Sequence, residues 1–179
     1  MKQINIYTMT SISAVTPTSG RGVYVIEWLS PKGKATLTDM IELTKCNSRG
    51  ATLTTAVKAL ERLKEPCEVI LNISDRYIAT AFDKDWVSNW LKNGWIARSG
   101  KEIQYKELWQ QLMYLMSQHQ ATTTYNVEHE YYRWMNNDFC CESVENMAQV
   151  IDIAKCGWTK EEIIEWLQRE ADCSGGGKL

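Results

Sequence analysis

The spacing of hydrophobic positions changes period within residues 51–77. Leu53, Val57 and Leu60 recur every three or four residues, which predicts the buried face of a helix. Pro66 ends this helix, because proline has no N–H to donate and cannot continue the helical run. The chain then changes to alternation, so the pattern predicts a helix followed by a buried strand.

Alternating polar and β-branched positions predict the strands of a sheet. Asp75 follows the strand after Pro66 and is expected to cap a short helix that reaches Phe82. A loop is expected over residues 11–22, where proline and glycine gather, and another packing helix over residues 106–119. The predicted strands are residues 3–8, 23–29, 35–43, 67–74 and 121–127. The first three have short connections and predict an antiparallel meander, whereas the two strands preceded by helices should be parallel, giving a mixed sheet.

The C-terminal segment has its own helical pattern. Periodic apolar positions fill residues 143–155, Gly157 is a helix stop, and residues 159–162 form a capping box that opens a last helix. The pattern predicts a helical hairpin followed by a flexible glycine-rich tail. Two interpretations remain open: the hairpin covers the edge of the sheet, or it is a docking surface anchored by Trp158 and Trp166.

Composition indicates a packed protein of one domain, or of one domain with an appendage. The chain has 179 residues, of which 44% are hydrophobic. It contains no apolar run near membrane-spanning length and no charged-then-apolar leader, so we expect a cytoplasmic protein without a membrane partner. Six cysteines lack CxxC spacing. They are expected to be reduced and to serve packing rather than a zinc site.

Charge is distributed unevenly along the chain. Residues 136–179 carry nine acidic and four basic side chains, a net charge of −5, which leaves thirteen acidic and sixteen basic side chains and a net charge of +3 for residues 1–135. Because phosphate binding depends on cationic contacts, any affinity for nucleic acid should lie in the first part.

Several segments, in the same order, resemble the ribonuclease HI family. They are INIYT, ALERLKEPCEVILNISDRY, KDWVSNWLKNGWIARSGK, YKELWQQL and SQHQ, and the resemblance extends over residues 1–135. It implies an α/β RNase H-like fold, in which helices flank a five-stranded mixed sheet, with the C-terminal helical hairpin added. We therefore expect an RNase H-like domain over residues 1–135 and an acidic helical extension over residues 136–179.

The resemblance also identifies residues at which the family's chemistry is missing. Active members hold two Mg²⁺ ions between four carboxylates and hydrolyse the RNA strand of an RNA–DNA hybrid. In this chain the matching positions are Met9, Thr52, Ser74 and Phe139, with Asp138 one residue away from the last. A thioether and two hydroxyls do not form a magnesium site. We therefore predict that the Mg²⁺ site is lost and that no other cofactor replaces it.

His129 stands where the family carries a histidine that assists proton transfer and product release. Without metal ions to activate water it has nothing to relay, so it is interpreted as a relic or a surface residue. Its neighbours Glu128 and Glu130 are expected to keep it protonated near neutral pH.

Candidate nucleic-acid contacts lie in two segments of the resemblance. In the connection of residues 45–50 the family has phosphate-contacting polar residues, and a solvated loop is the alternative. Residues 83–107 match a protruding handle that grips the hybrid, here with a net charge of only +1. Its tryptophans either pack on the core or stack on bases. The candidates are Asn47, Ser48, Arg49, Trp86, Asn89, Trp90, Lys92, Trp95, Arg98 and Lys101.

These observations support three hypotheses of function. The first is a catalytically inactive RNase H-like protein, a pseudoenzyme that binds an RNA–DNA hybrid or duplex without cleaving it. The second is a protein-interaction or regulatory module that uses residues 136–179, with counter-defence in a phage or mobile element as one form. The third is a weak or altered hybrid ribonuclease, which would need a carboxylate such as Asp75 or Asp138. Asp75 is expected to point away from the lost site, because side chains alternate along a strand.

Overall fold

Five strands form one mixed sheet in the order β3-β2-β1-β4-β5. The computed structural model describes residues 1–138. The elements are β1 (Lys2–Thr10), β2 (Thr18–Ser30), β3 (Gly33–Cys46), α1 (Ser48–Leu60), β4 (Cys67–Ile73), α2 (Arg76–Asp83), α3 (Trp86–Lys92), α4 (Lys106–Ser117), β5 (Gln120–Tyr125) and α5 (Tyr132–Asp138). The predicted α/β fold with a five-stranded mixed sheet is confirmed.

Strand directions follow the connections. Strands β1, β2 and β3 pair antiparallel through short turns. Strand β4 is parallel to β1, and β5 is parallel to β4, each after a helical crossover. The predicted meander and the predicted parallel strands are both confirmed. The carboxyl ends of β1, β4 and β5 therefore lie at the same edge of the sheet.

The core lies between one face of the sheet and helices α1 and α4. Ile4 and Ile6 of β1 belong to the same buried cluster as Leu53 and Leu60 of α1. Leu112 of α4 is fully buried in this cluster. The two helices pack against each other, and α1 also packs against β1 and β2. At about 1.5–3 kcal/mol for each fully buried aliphatic side chain, this cluster is a large part of the favourable free energy of folding.

The bounds of β2 and β3 differ most from the prediction. Residues 18–22 were expected to belong to a loop, but β2 begins at Thr18. A Cβ atom on Gly22 would lie 2.1 Å from Thr55 Oγ1 of α1, so glycine is needed here for close packing of helix on sheet rather than for a turn. Strand β3 likewise continues to Cys46. The connection between β3 and α1, expected over residues 45–50, therefore consists only of the cap residue Asn47.

Other predicted features fall close to their observed positions. The Asp75 side chain accepts a hydrogen bond from the Ile78 N–H at 3.1 Å and caps α2, as predicted. The expected fifth strand is shorter than predicted and ends at Tyr125. Within residues 1–138, no helix is long and apolar enough to cross a membrane.

The chain divides into two compact units, Met1–Tyr132 and Arg133–Leu179. The described residues include the whole first unit and the start of the second. The predicted helical hairpin and Phe139 lie outside the described residues. The predicted domain boundary after residue 135 stays a prediction.

Candidate nucleic-acid interface

Two of the degenerate positions, meaning those at which the resemblance expects a metal-binding carboxylate and this chain has another residue, lie at the carboxyl edge of the sheet. Thr8 pairs with Ile73 across β1 and β4, so Met9 and Ser74 are the next residues of two neighbouring parallel strands. The Met9 side chain is buried at 6% exposure, and Ser74 is half-buried. Because side chains alternate along a strand, Met9 points to the sheet face opposite α1.

The third degenerate position lies in the first turns of α1. Thr52 is buried, and its hydroxyl donates to the Ser48 carbonyl at 2.9 Å. One turn later, Thr55 donates to the Ala51 carbonyl at 2.8 Å and stands over Gly22, which pairs with Thr10 at the end of β1. These hydroxyls thus satisfy backbone carbonyls of their own helix.

The start of α1 contains three predicted contact residues in different surroundings. Asn47 is buried, and its side-chain oxygen accepts hydrogen bonds from the Arg49 and Gly50 N–H groups at 3.1 Å. Ser48 is half-buried in the first turn, whereas the Arg49 side chain is exposed. Direct binding by the Asn47 oxygen would therefore require loss of the helix cap, and Arg49 is the accessible cation of the three.

The predicted handle is fixed to the start of α1 by Tyr105. The Asn47 N–H donates to the Tyr105 hydroxyl at 3.1 Å. A Cβ atom on Gly50 would lie 2.6 Å from Cζ of the same ring, so the ring rests directly on the helix backbone. The segment that follows α3 therefore has a definite position against α1.

The handle tryptophans pack on the core. Trp95 is 3% exposed, and Trp90 makes an edge-to-face contact with the buried Trp109 at 5.3 Å between ring centroids. Trp86 lies 5.8 Å from the Tyr77 ring. Trp86 and Trp90 lie one turn apart in α3, whereas Trp95 lies beyond α3 in the left-handed region at φ 67°. This geometry favours the packing interpretation.

Polar handle residues face solvent. Asn89 and Lys92 are exposed on α3, and Arg98 and Lys101 are exposed around the turn that follows. That turn is closed by an isolated antiparallel bridge between Ile96 and Glu102. The tryptophan anchor and the exposed cations therefore occupy opposite sides of one structured segment.

His129 packs on the sheet face that carries Met9. Its ring lies 4.7 Å from the Tyr7 ring, and within the described residues its Nδ1 atom has no hydrogen-bond partner. Burial lowers the pKa of His129, and the nearby Glu130 raises it only in part. The expectation that the flanking glutamates keep His129 protonated is therefore wrong, since Glu130 instead forms an ion pair with Lys34.

A buried carboxylate beneath this loop was not expected from the sequence. Glu27 on β2 is 8% exposed and accepts hydrogen bonds from the Tyr131 hydroxyl at 2.5 Å and from Asn5 Nδ2 at 3.3 Å. It also pairs with Lys34 Nζ at 3.2 Å. Burial raises the pKa of Glu27, but the hydrogen bonds from Tyr131 and Lys34 outweigh it and the pKa is lowered.

Arg76 was also missed in the sequence. It is exposed at the first position of α2, two residues after Ser74, and its guanidinium carbon lies 5.2 Å from the centroid of the Tyr125 ring. The neighbouring Asp75 indicates a helix cap, and no local sequence pattern indicates a binding role for Arg76. Within residues 1–138, no three histidine, cysteine, aspartate or glutamate side chains come together in a way that could hold a metal ion.

Comparison with known proteins supports one family. The RNase H family model matches residues 1–149. Ribonuclease H of Chlorobium luteolum is 31% identical over 126 residues, which cover 68% of this chain and 80% of that protein. Ribonuclease H of Acetivibrio thermocellus is 35% identical over 119 residues, or 66% and 78% of the two chains. A match to ribonuclease H of Chlorobaculum parvum is 42% identical but spans only 46% of that protein.

Solved structures agree on the fold. The crystal structure of LC9-RNase H1, a type 1 RNase H with the type 2 active-site motif, superposes with a TM-score of 0.64 at 16% identity and covers 97% of this chain and 84% of that one. The foamy viral protease-reverse transcriptase in complex with RNA/DNA hybrid superposes with a TM-score of 0.55 at 12% identity, over 76% of this chain and 18% of that one. With the sheet order, the sequence relatives and the family match in agreement, this chain belongs to the RNase H family.

Proposed function

We propose that this RNase H family protein binds RNA–DNA hybrid or duplex nucleic acid without cleaving it. The observation that carries the proposal is the chemistry of three positions that the resemblance assigns to metal-binding carboxylates, which here are Met9, Thr52 and Ser74. Two divalent ions held close together need several anionic oxygen ligands before they can activate water at a phosphate.

The residues present do not fit a two-magnesium site. The Thr52 hydroxyl is engaged with the Ser48 carbonyl, and the Met9 thioether is a soft donor that Mg²⁺ does not favour. Asp75 is the nearest carboxylate in the sequence, but its side chain caps α2. We therefore propose no catalytic step for this site.

Several features support nucleic-acid binding. The handle keeps a definite position through Tyr105 and the buried Trp95, and it presents Lys92, Arg98 and Lys101 to solvent. A structured segment that presents several cations to solvent is suited to recognition of a duplex through its shape and backbone. One of the fold neighbours is named as a complex with RNA/DNA hybrid.

Binding and cleavage are tested on the same purified chain. Fluorescence anisotropy with a labelled RNA–DNA hybrid should show affinity that falls steeply as salt is raised. The same hybrid, incubated with Mg²⁺ or Mn²⁺ and separated on a denaturing gel, should remain intact. Absence of binding at low salt would overturn the proposal, and so would cleavage that disappears in the Asp75→Asn variant.

The second hypothesis, a protein-interaction module, rests on residues 136–179, nearly all of which lie outside the described residues. It stays a prediction. Recovery of protein partners with the full chain but not with a chain ending at residue 135 would favour it over nucleic-acid binding.

A further inference from the structure

Two arginine side chains lie over tyrosine rings near the start of α2. The Arg49 guanidinium carbon lies 3.8 Å from the centroid of the Tyr77 ring, and that of Arg76 lies 5.2 Å from the centroid of the Tyr125 ring. Arg76 and Tyr77 are consecutive in the first turn of α2, so one stacked pair joins α2 to α1 and the other joins α2 to the end of β5. Arg76 and Tyr77 follow Ser74 by two and three residues.

Stacking leaves the donors of these guanidinium groups unused. Among residues 1–138, neither Arg49 nor Arg76 has an ion-pair partner or a side-chain hydrogen bond, whereas Arg21 is paired with Glu42 at 3.1 Å. A ring contact occupies the flat face of a guanidinium, and its N–H groups point outward in the plane, where they match two oxygens of a phosphate. Each tyrosine therefore orients an arginine without neutralising it.

Nearby carboxylates have other partners. The Asp75 side chain accepts from the Ile78 N–H and caps α2. Glu102, which lines a cavity beside Arg49, is paired with Lys106 at 3.1 Å. The local positive charge of the two arginines is thus only weakly opposed.

The cavity beside Arg49 provides room for an anion. It measures about 210 Å³ and is lined by Arg49, Tyr77, Gln104 and Trp109 among others. At about 30 Å³ for each water molecule, several waters fit, and so does a tetrahedral phosphate group. On the handle side the cavity is lined by Gln104, whose Oε1 atom accepts a hydrogen bond from Asn47 Nδ2 at 3.5 Å.

We propose that Arg49 and Arg76 form a phosphodiester clamp that binds the backbone of a nucleic acid directly, without a divalent cation. The inference rests on the proposed nucleic-acid binding and names the groups that make the contact. Stacked, permanently charged guanidinium groups stand next to the edge where the family places its ions, so the phosphate meets protein cations rather than metal ions. No bond is made or broken.

The test uses the full chain and a labelled RNA–DNA hybrid in EDTA. Arg49→Gln and Arg76→Gln should each weaken binding about tenfold, because each removes charge-assisted hydrogen bonds to a phosphate. Each should also reduce the salt slope by roughly one. Arg62→Gln is the matched control, because Arg62 lies just beyond the opposite end of α1, about 20 Å away at 1.5 Å per residue, and it should bind like the wild type. Exchanging EDTA for Mg²⁺ at constant ionic strength should not strengthen binding.

A second variant separates stacking from charge. Tyr125→Leu keeps an apolar side chain at a position that is 42% exposed but removes the ring beneath Arg76, and it should weaken hybrid binding several-fold. Arg76→Lys should resemble Arg76→Gln, because a lysine cannot form the bidentate, stacked arrangement. Wild-type affinity in the Arg49→Gln and Arg76→Gln variants, with hybrid still bound, would overturn the clamp and leave the proposed function standing.

A phosphate titration covers the case in which the hybrid does not bind at all. Arginine Nε–H signals of the wild-type protein are followed by NMR as inorganic phosphate is added. Shifts at Arg49 and Arg76 but not at Arg62 would support the clamp even if the proposed function failed. Equal shifts at all three arginines, or none, would overturn it.

Discussion

Replacing Glu27 by glutamine tests how the loop that carries His129 is held on the sheet. The buried carboxylate accepts hydrogen bonds from Tyr131 and Asn5 and pairs with Lys34. A hydrogen bond to a buried charged group contributes about 1.5–3 kcal/mol. The Lys34 side chain is 39% exposed, and such a pair contributes less than about 1 kcal/mol. We therefore expect Glu27→Gln to lower the free energy of unfolding by about 2 kcal/mol at pH 7.

The loss of unfolding free energy caused by Glu27→Gln should become smaller as the pH falls. Hydrogen bonds from Tyr131 and Lys34 lower the pKa of Glu27 in the folded protein despite its burial. Its stabilisation is therefore complete above the ordinary glutamate pKa of about 4.3 and is lost as the pH falls through the lowered, folded-state value. The difference between wild type and variant should shrink when urea unfolding is repeated in acid.

Glu42→Gln is the matched control for this prediction. Glu42 also pairs with one cation, but its side chain is 75% exposed, so its loss should change the free energy of unfolding by less than about 0.5 kcal/mol. Hydrogen exchange adds a local measurement, since the Glu27→Gln variant should exchange faster over residues 126–131. Equal effects of the two substitutions at pH 7, or a Glu27→Gln effect that is the same in acid, would refute this account.

Three further predictions concern packing and the predicted loss of the metal site. Gly22→Ala should cost about 1–3 kcal/mol of unfolding free energy in urea, and Thr55→Ala should relieve part of that cost in the double variant, because the added Cβ meets Thr55 Oγ1. Gly50→Ala should displace the Tyr105 ring and weaken hybrid binding measured by anisotropy, while Gly22→Ala leaves the affinity of the folded fraction unchanged. The combined substitutions Met9→Asp, Thr52→Glu, Ser74→Asp and Phe139→Asp should produce Mg²⁺ binding that calorimetry detects. A calorimetric trace like that of the wild type would show that these positions are misassigned.

Features with local causes could be predicted from the sequence. The Asp75 cap depends on a side chain and an N–H group three residues apart, so the motif alone identified it. The parallel and antiparallel strand pairs follow from the lengths of the connections, and these were also identified. The packed tryptophans of the handle were expected as one of two interpretations, and the structure favours that one.

Features that depend on distant partners could not be predicted. Gly22 looks like a turn residue until Thr55 of α1 is placed over it. Glu27 appears as one polar position in an apolar strand, because its partners Lys34 and Tyr131 come from elsewhere in the chain. The contact of Arg76 with Tyr125, the last residue of β5, is seen only in the folded chain. In each case the decisive contact joins two segments of the chain, and no sequence pattern indicates that these segments come together.

Under the proposed function, Arg49 and Arg76 stand at the edge of the sheet where the resemblance places metal ions. Met9 is buried and the Thr52 hydroxyl is bonded within α1, so these two positions, which the resemblance aligns with carboxylates, contribute to packing and to backbone hydrogen bonding and present no anionic oxygen. Under the proposed function, the stacked Arg49 and Arg76 then supply the positive charge that the ions would have brought, so the binding of nucleic acid and its cleavage become separable properties of one fold.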